Sequence, residues 1–347
     1  VNLGSIRIGK EAPPYVIAEI GSNHNGDMHL ARRLVDAAVS AGAHAVKFQS
    51  WTDRSLVSRG EYERNTDYSD KKKHFGSLKE MVSAYQLTTA QHREMRDYCR
   101  ERGIAFSSSP FSLEEADLLE TLDVPFFKIA SMDINHFQLL RHVARKQRPV
   151  LLSTGMATMG EIESAVEAIR AENNEQIVLL HCVSIYPPDN STVNLRNMET
   201  LRRAFDVLVG FSDHTLGTAI PLAAIALGAS VIEKHFTIDK NLPGWDHEIS
   251  ADPEEMRAIV AGGAAVFSAL GASRRIVTEA ELEKQKKFRR SVVARRSLSA
   301  GHTLSEADLD VKRPGTGISP AELNRVVGRR LARSVAEDDL FDWSDFA

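Results

Sequence analysis

The sequence predicts a parallel (β/α)8 barrel followed by a small β-rich module. One motif recurs from residue 15 to about 270: a short apolar run, a Gly/Ser/Asn/Asp-rich turn, then a helix-length amphipathic stretch. Eight such units occupy roughly 260 residues, more than an open sheet usually holds. After Leu270 the rhythm stops and the runs become short and Gly/Pro-punctuated.

In chain order, the apolar runs are 15–20, 44–48, 104–107, 125–130, 149–152, 176–181, 207–211 and 230–235. Several are apolar on both faces, as a parallel sheet covered by helices requires. Between them, 30–40 places Leu34, Val35 and Ala38 on one helical face, and 161–170 does the same with Ile162, Val166 and Ile169. An open doubly wound sheet is the alternative, but no G-x-G-x-x-G follows the first run. The segment 52–83 breaks the pattern with Arg54, Arg59, Glu61, Glu63, Arg64 and the lysine run 71–73. It reads as a polar loop over a pocket mouth, with a solvated helical insertion as the competing reading.

Composition narrows the class. The 347 residues are 43% hydrophobic and 26% charged, with a net charge of −4, so neither disorder nor a surface built to coat DNA or membrane is expected. Cys99 and Cys182 are too few for a disulfide scaffold or a cysteine metal site. No apolar run reaches the ~18 residues of a membrane span and no signal-peptide layout opens the chain. A soluble cytoplasmic protein is the expectation.

Polar groups gather at the C-terminal ends of the runs: Glu19 with Asn23, His24 and Asn25; Lys47 and Gln49; Ser107, Ser108 and Ser109; Lys128 and Ser131; Ser153 and Thr154; His181, Ser184 and Tyr186; Ser212, Asp213 and His214; Glu233, Lys234 and His235. In a barrel these ends ring one pocket, on the face that carries active sites. Strand alternation makes Lys47 and Gln49 share a face, as do Glu233 and His235. Ser109 and Thr154 are equally readable as helix caps, and Glu19 as a structural partner of Lys47. Several converging ionisable groups nevertheless indicate chemistry, since buried charge is costly unless used.

Residues 273–290 are charged and helix-compatible, and read as a linker between a barrel of 1–272 and a module of 291–347. Between 284 and 334 there are 13 Lys/Arg against 4 Asp/Glu, followed by an acidic end with Glu337, Asp338, Asp339, Asp342 and Asp345. Aromatic side chains for base stacking are nearly absent, which favours an anion- or sugar-facing lid over a nucleic-acid surface.

The stretches Ile17-Ala-Glu-Ile-Gly-Ser-Asn-His-Asn-Gly26, Ala45-Val-Lys-Phe-Gln49, Phe127-Lys-Ile-Ala-Ser131, Ser153-Thr-Gly-Met156, Phe211-Ser-Asp-His-Thr215 and Glu233-Lys-His-Phe-Thr237 together resemble the sialic acid synthase family. Lys312-Arg-Pro-Gly315 is similar to that family's C-terminal SAF (antifreeze-like) domain. The resemblance implies condensation of phosphoenolpyruvate with an N-acetylated mannose-type sugar, giving a nine-carbon 2-keto-3-deoxy acid and phosphate. It also implies a divalent cation and a homodimer in which each SAF domain covers its partner's barrel, with neither nucleic acid nor membrane as partner.

Carried onto this chain, the resemblance makes His214 and His235 the metal ligands. Mn2+ is favoured, with Mg2+, Co2+ and Zn2+ left open. Lys47, Lys128, Ser109, Ser131, Ser153 and Ser212 are expected to hold phosphoenolpyruvate. Gln49, Tyr186, Asp246 and Arg313, with Phe288 closing the pocket, are expected to hold the sugar. Glu19 is the acid/base candidate, and Glu233 orients His235 or Lys47. Departures from the family pattern fall at Trp245, Ser184 and Met132-Asp133, which bear on the substituents of the sugar. Two other functions remain open: a Schiff-base pyruvate aldolase using Lys47 or Lys128, and a non-catalytic sugar- or polyanion-binding protein.

Overall fold

The computed structural model describes residues 1–70, 73–74 and 76–347. The eight runs become strands β1 (Tyr15–Gly21), β2 (Ala45–Ser50), β3 (Ala105–Pro110), β4 (Phe127–Ile129), β5 (Val150–Ser153), β6 (Ile177–Cys182), β7 (Leu208–Asp213) and β8 (Val231–His235). Their order in the sheet is β3-β2-β1-β8-β7-β6-β5-β4, every pairing parallel, so the chain steps to an adjacent strand each time. Ser107 Oγ on β3 donates to the Phe126 carbonyl beside β4 at 3.0 Å, joining the two ends of that order into a barrel. Strand β4 is shorter than the run 125–130 because Ser131–Asp133 turn at once into a 3-10 helix.

Helices cross between strands as the amphipathic stretches require. The principal ones are α1 (Met28–Ala41), α4 (Thr89–Glu101), α5 (Leu113–Thr121), α6 (Phe137–Arg145), α7 (Met159–Arg170), α8 (Asn197–Phe205), α9 (Ala219–Ala226) and α10 (Pro253–Leu270), with α2 (Arg59–Arg64) and α3 (Leu78–Tyr85) between β2 and α4. Capping fixes several starts. Asp27 accepts from the His29 N–H, and capping boxes join Thr88 to Gln91, Thr158 to Glu161 and Asp252 to Glu255. Gly42, in the left-handed region at φ 83°, stops α1.

Period two along the strands sorts the core. Val16, Ala18 and Ile20 face the helix layer with Val46, Phe48, Leu152, Leu179 and Ile232. Tyr15, Ile17, Ala45, Leu151, Val178, Leu180 and Val231 fill the barrel interior, closed below by Leu3 and Ile8 beside the hairpin of Asn2–Leu3 and Ile6–Arg7. Except on β6, which ends at Cys182, the inward parity thus begins apolar and ends polar, which seals the bottom and leaves chemistry at the top.

The insertion after β2 carries helices and its own apolar cluster of Trp51, Leu78, Met81, Val82 and Phe111, with Leu56, Tyr62, Tyr85 and Trp245 against it. It is therefore closer to the helical-insertion reading than to a polar loop. The side chains of the lysine run 71–73 lie outside the described residues.

The chain divides into two compact units, Val1–Gly271 and Ala272–Ala347. The second holds α11 (Glu279–Phe288) and an antiparallel pair, β9 (Ser291–Ala294) with β10 (Leu309–Lys312). Its core is Val292, Leu298, Leu304, Leu309, Ile318, Val326, Leu331, Val335 and Phe341. The acidic end offsets the basic surface through pairs Lys312–Asp338 and Arg333–Asp345, while Arg296 meets Asp308. Among the described residues no helix is long and apolar enough to cross a membrane.

Candidate active site

A cavity of about 390 Å3 opens at the C-terminal ends of the strands. The thirteen barrel residues expected to bind substrate or metal or to take part in the chemistry all line it: Glu19, Lys47, Gln49, Ser109, Lys128, Ser131, Ser153, Tyr186, Ser212, His214, Glu233, His235 and Asp246. Ladder register brings the first members together, with Glu19 opposite Lys47 on β2 and His235 on β8, and Ser212 opposite Glu233. Gly21, at φ 53°, breaks the β1–β2 register just past Glu19, where a Cβ would lie 3.1 Å from Glu19 Oε1.

Four charged side chains, each at most 7% exposed, alternate in sign on the cavity floor. Lys47 Nζ lies 2.6 Å from Glu19 Oε2 and 3.9 Å from Glu233 Oε2, and it donates to Ser109 Oγ at 2.9 Å. Lys128 Nζ lies 3.3 Å from Glu233 Oε1, which accepts from Ser212 Oγ at 2.6 Å. Gln49 Nε2 donates to Glu19 Oε1 at 3.0 Å. Burial pushes Glu19 up to about 7 against the pull of Lys47, with Glu233 reinforcing the rise. Burial also raises Glu233, but Lys128 and Lys47 outweigh it and hold that carboxyl below the usual range. One carboxylate is thus poised near neutrality and the other is firmly ionised.

A hydroxyl cradle lies opposite. Gly155 N–H donates to Ser131 Oγ at 3.0 Å, and a Cβ on Gly155 would sit 2.2 Å from Ser184 Oγ and 2.8 Å from Ser131 Oγ. Ser153 Oγ is buried with no hydrogen-bond partner among the described residues, so it is available to a ligand. The capping alternative for Ser109 and Thr154 does not hold. Ser109 meets Lys47, Thr154 Oγ1 donates to the Leu180 carbonyl, and Ser112 and Thr158 cap the helices that follow.

His214 and His235 stand together, ring centroids 5.4 Å apart, with the Tyr186 ring 4.0 Å from His214. His214 Nδ1–H donates to the Val183 carbonyl at 2.9 Å, which leaves Nε2 with its lone pair. Burial, with His235 beside it, lowers His214 to about 4, so the ring is neutral. Asp246 Oδ2 is 3.9 Å from His235 Nδ1. Among the described residues no third His, Cys, Asp or Glu completes a metal cluster. Two imidazoles side by side fit the donor set of a divalent ion, which they would hold and which would supply Lewis-acid chemistry.

Not every polar strand end points inward. Asp213 and Lys234 take the opposite parity and form a buried pair at 2.7 Å outside the cavity. His24 and His181 also lie outside its lining, His24 with its Nδ1 accepting from Gly26 N–H and His181 against the Val193 carbonyl. Phe288 and Arg313 belong to the second unit, where the guanidinium carbon lies 5.2 Å from the Phe288 ring centroid. Sequence reasoning missed Trp51, Leu56, Phe111, Met156 and Cys182, which also line the cavity. The first three carry no polar signature, and only their places just past β2 and β3 mark them.

Strand-end lysines, carboxylates, hydroxyls and paired imidazoles in one cavity define a (β/α)8-barrel enzyme. The chain belongs to the NeuB family, which it matches over residues 34–275, and residues 289–347 match the SAF domain. It is 38% identical to the N,N'-diacetyllegionaminic acid synthase of Legionella pneumophila over 96% of this chain and 95% of that protein. Identity to the pseudaminic acid synthase of Campylobacter jejuni is 32%, over the full length of both. In three dimensions it resembles the N-acetylneuraminic acid synthetase of Leptospira borgpetersenii, solved with citrate, at a TM-score of 0.72 and 34% identity, covering 82% of this chain and 94% of that one.

Proposed function

We propose that the protein condenses phosphoenolpyruvate with the open-chain aldehyde of an N-acetylated mannose-type sugar, N-acetylmannosamine or a 2,4-diacetamido-trideoxyhexose. The products are a nine-carbon 2-keto-3-deoxy sugar acid and inorganic phosphate. The observation that carries this reading is the pairing of two buried ammonium groups, Lys47 and Lys128, with the imidazoles of His214 and His235 in one cavity. A substrate bearing both phosphate and carboxylate needs the first pair, and an aldehyde in need of polarisation fits beside the second.

In this reading Lys47, Lys128 and the hydroxyls of Ser109, Ser131, Ser153 and Ser212 hold the phosphate and carboxylate. C3 of the enol forms a bond to the aldehyde carbon, and the aldehyde oxygen takes up a proton. Water adds to C2, its departing proton taken by Glu19, and phosphate leaves as the C2 ketone forms. A near-neutral carboxyl suits that exchange. Glu233, ionised, fixes Ser212 and spaces the two lysines. His214 and His235 would hold the divalent ion, with Mn2+ favoured, and when bound it supplies Lewis-acid polarisation of the carbonyl. Gln49, Tyr186 and Asp246 face the sugar. Arg313 and Phe288, offered by the SAF domain of a second copy, complete its site in a homodimer.

The test is phosphate release from phosphoenolpyruvate across a panel of acetamido sugars, with products identified by mass spectrometry. The expected result is sugar-dependent release, abolished by EDTA and restored by Mn2+. Activity that survives EDTA, with borohydride trapping pyruvate on Lys47 or Lys128, supports the Schiff-base aldolase instead.

A further inference from the structure

One wall of the cavity is apolar, and a single buried carboxylate outside the cavity ties its parts together. Trp51 and Leu56 come from the segment after β2, and Phe111 comes from the end of β3. The rings of Trp51 and Phe111 meet edge to face at 5.8 Å. Behind them Glu115, on the first turn of α5 and 8% exposed, uses both oxygens. Oε1 accepts from Ser55 Oγ at 2.5 Å, and Oε2 accepts from the Phe111 N–H at 2.8 Å. Ser55 in turn anchors the start of the segment, since its Oγ accepts from the Thr52 N–H at 2.9 Å. The residue on either side of that turn, Trp51 or Leu56, faces the ligand space. Glu115 itself does not line the cavity.

We infer that Glu115 is a positioning residue that clamps Ser55 to the Phe111 backbone, setting the Trp51–Leu56–Phe111 wall and thereby the fit of the acceptor sugar. The inference rests on the proposed function only for the identity of that acceptor. Among the described residues the charged floor, where phosphoenolpyruvate is placed, shares no hydrogen bond with the clamp. Disturbing Glu115 therefore acts more on the acceptor sugar than on phosphoenolpyruvate. A methionine in its place keeps the length of the side chain but accepts from neither donor, so both bonds are lost.

The experiment compares Glu115→Met, Ser55→Ala and Ser55→Thr in the full-length enzyme, by kinetics and by hydrogen exchange. For Glu115→Met and Ser55→Ala, KM for the sugar should rise roughly tenfold. KM for phosphoenolpyruvate should stay within about twofold, and the backbone over 51–57 and at Phe111 should exchange faster. Ser55→Thr, which keeps the hydroxyl, should match the parent in both. Equal rises in both KM values, or an unchanged sugar KM, overturn the clamp. If the parent consumes no sugar in the panel, the proposed function fails instead. Exchange then decides alone: faster exchange over 51–57 and Phe111 supports the clamp, and unchanged exchange overturns it.

Discussion

Glu19 is a cavity carboxyl whose burial moves its proton affinity well away from its value in water. Burial raises its carboxyl to about 7 although Lys47 Nζ lies 2.6 Å away. In the proposed role of base for the attacking water it must be ionised, and the ionised fraction falls as pH drops through that value. The activity kcat/KM should therefore decline on the acid side, roughly tenfold per pH unit once well below 7. Glu19→Gln should cost about 100-fold or more and leave a residue of activity that no longer titrates there. A rate that climbs on acidification would assign Glu19 the opposite, proton-donating role. Gly155→Ala is a second test, since its Cβ would intrude on Ser184 and Ser131. It should raise KM for phosphoenolpyruvate through displacement of the Ser131 hydroxyl, measured by initial rates at saturating sugar. Much of this site was legible in the sequence because polar residues at the inward parity of strand ends have few structural uses. Trp51, Leu56 and Phe111 were not legible, because apolar residues read as core until a cavity is seen beside them.

Between elements, the buried pair of Asp213 on β7 and Lys234 on β8 does structural work beside the chemistry. Lys234 Nζ lies 2.7 Å from Asp213 and also donates to the Thr215 carbonyl at 2.5 Å, while Asp213 accepts from the Thr215 N–H at 2.8 Å. The network ties the turn that carries His214 to the strand that carries His235. Removing one partner strands a buried charge, so Asp213→Ala should destabilise the barrel by about 3–5 kcal/mol, read from urea unfolding. A loss below 1 kcal/mol would show that water or a local rearrangement satisfies Lys234. The eight-unit rhythm identified the strands because the barrel needs both-face-apolar runs, and Asp27, Thr158 and Asp252 mark helix starts by their caps. The insertion was harder to read. Its apolar residues Leu78, Met81 and Val82 are spaced for a short helix, but its charge density imitates a loop. Alternation set Lys234 opposite Glu233 and His235, but strand-end position alone did not say which of those faces meets the cavity. One residue of register decides between catalysis and scaffolding.

At the scale of the molecule, a chain of two compact units raises the question of which barrel each SAF domain serves. Arg313 and Phe288 are both held within the second unit, Arg313 over the Phe288 ring. If they act on the partner's barrel, as the proposed homodimer requires, a site needs His214 from one copy and Arg313 from the other. At sugar concentrations well below the raised KM of Arg313→Ala, two impaired variants then complement each other in a calculable way. Arg313→Ala leaves every barrel intact and every donated arginine missing; His214→Ala does the reverse. In a mixed dimer, one of the two sites pairs an intact barrel with an intact Arg313, while the other carries both defects. Random exchange at equal concentrations makes half of the dimers mixed, so roughly a quarter of parental activity should return. Arg313→Ala alone should raise KM for the sugar while leaving phosphoenolpyruvate binding nearly unchanged, because only the sugar is assigned to it. If light scattering or mass spectrometry shows mixed dimers and activity stays at the level of the separate variants, each SAF domain serves its own barrel or none, and the shared site is wrong.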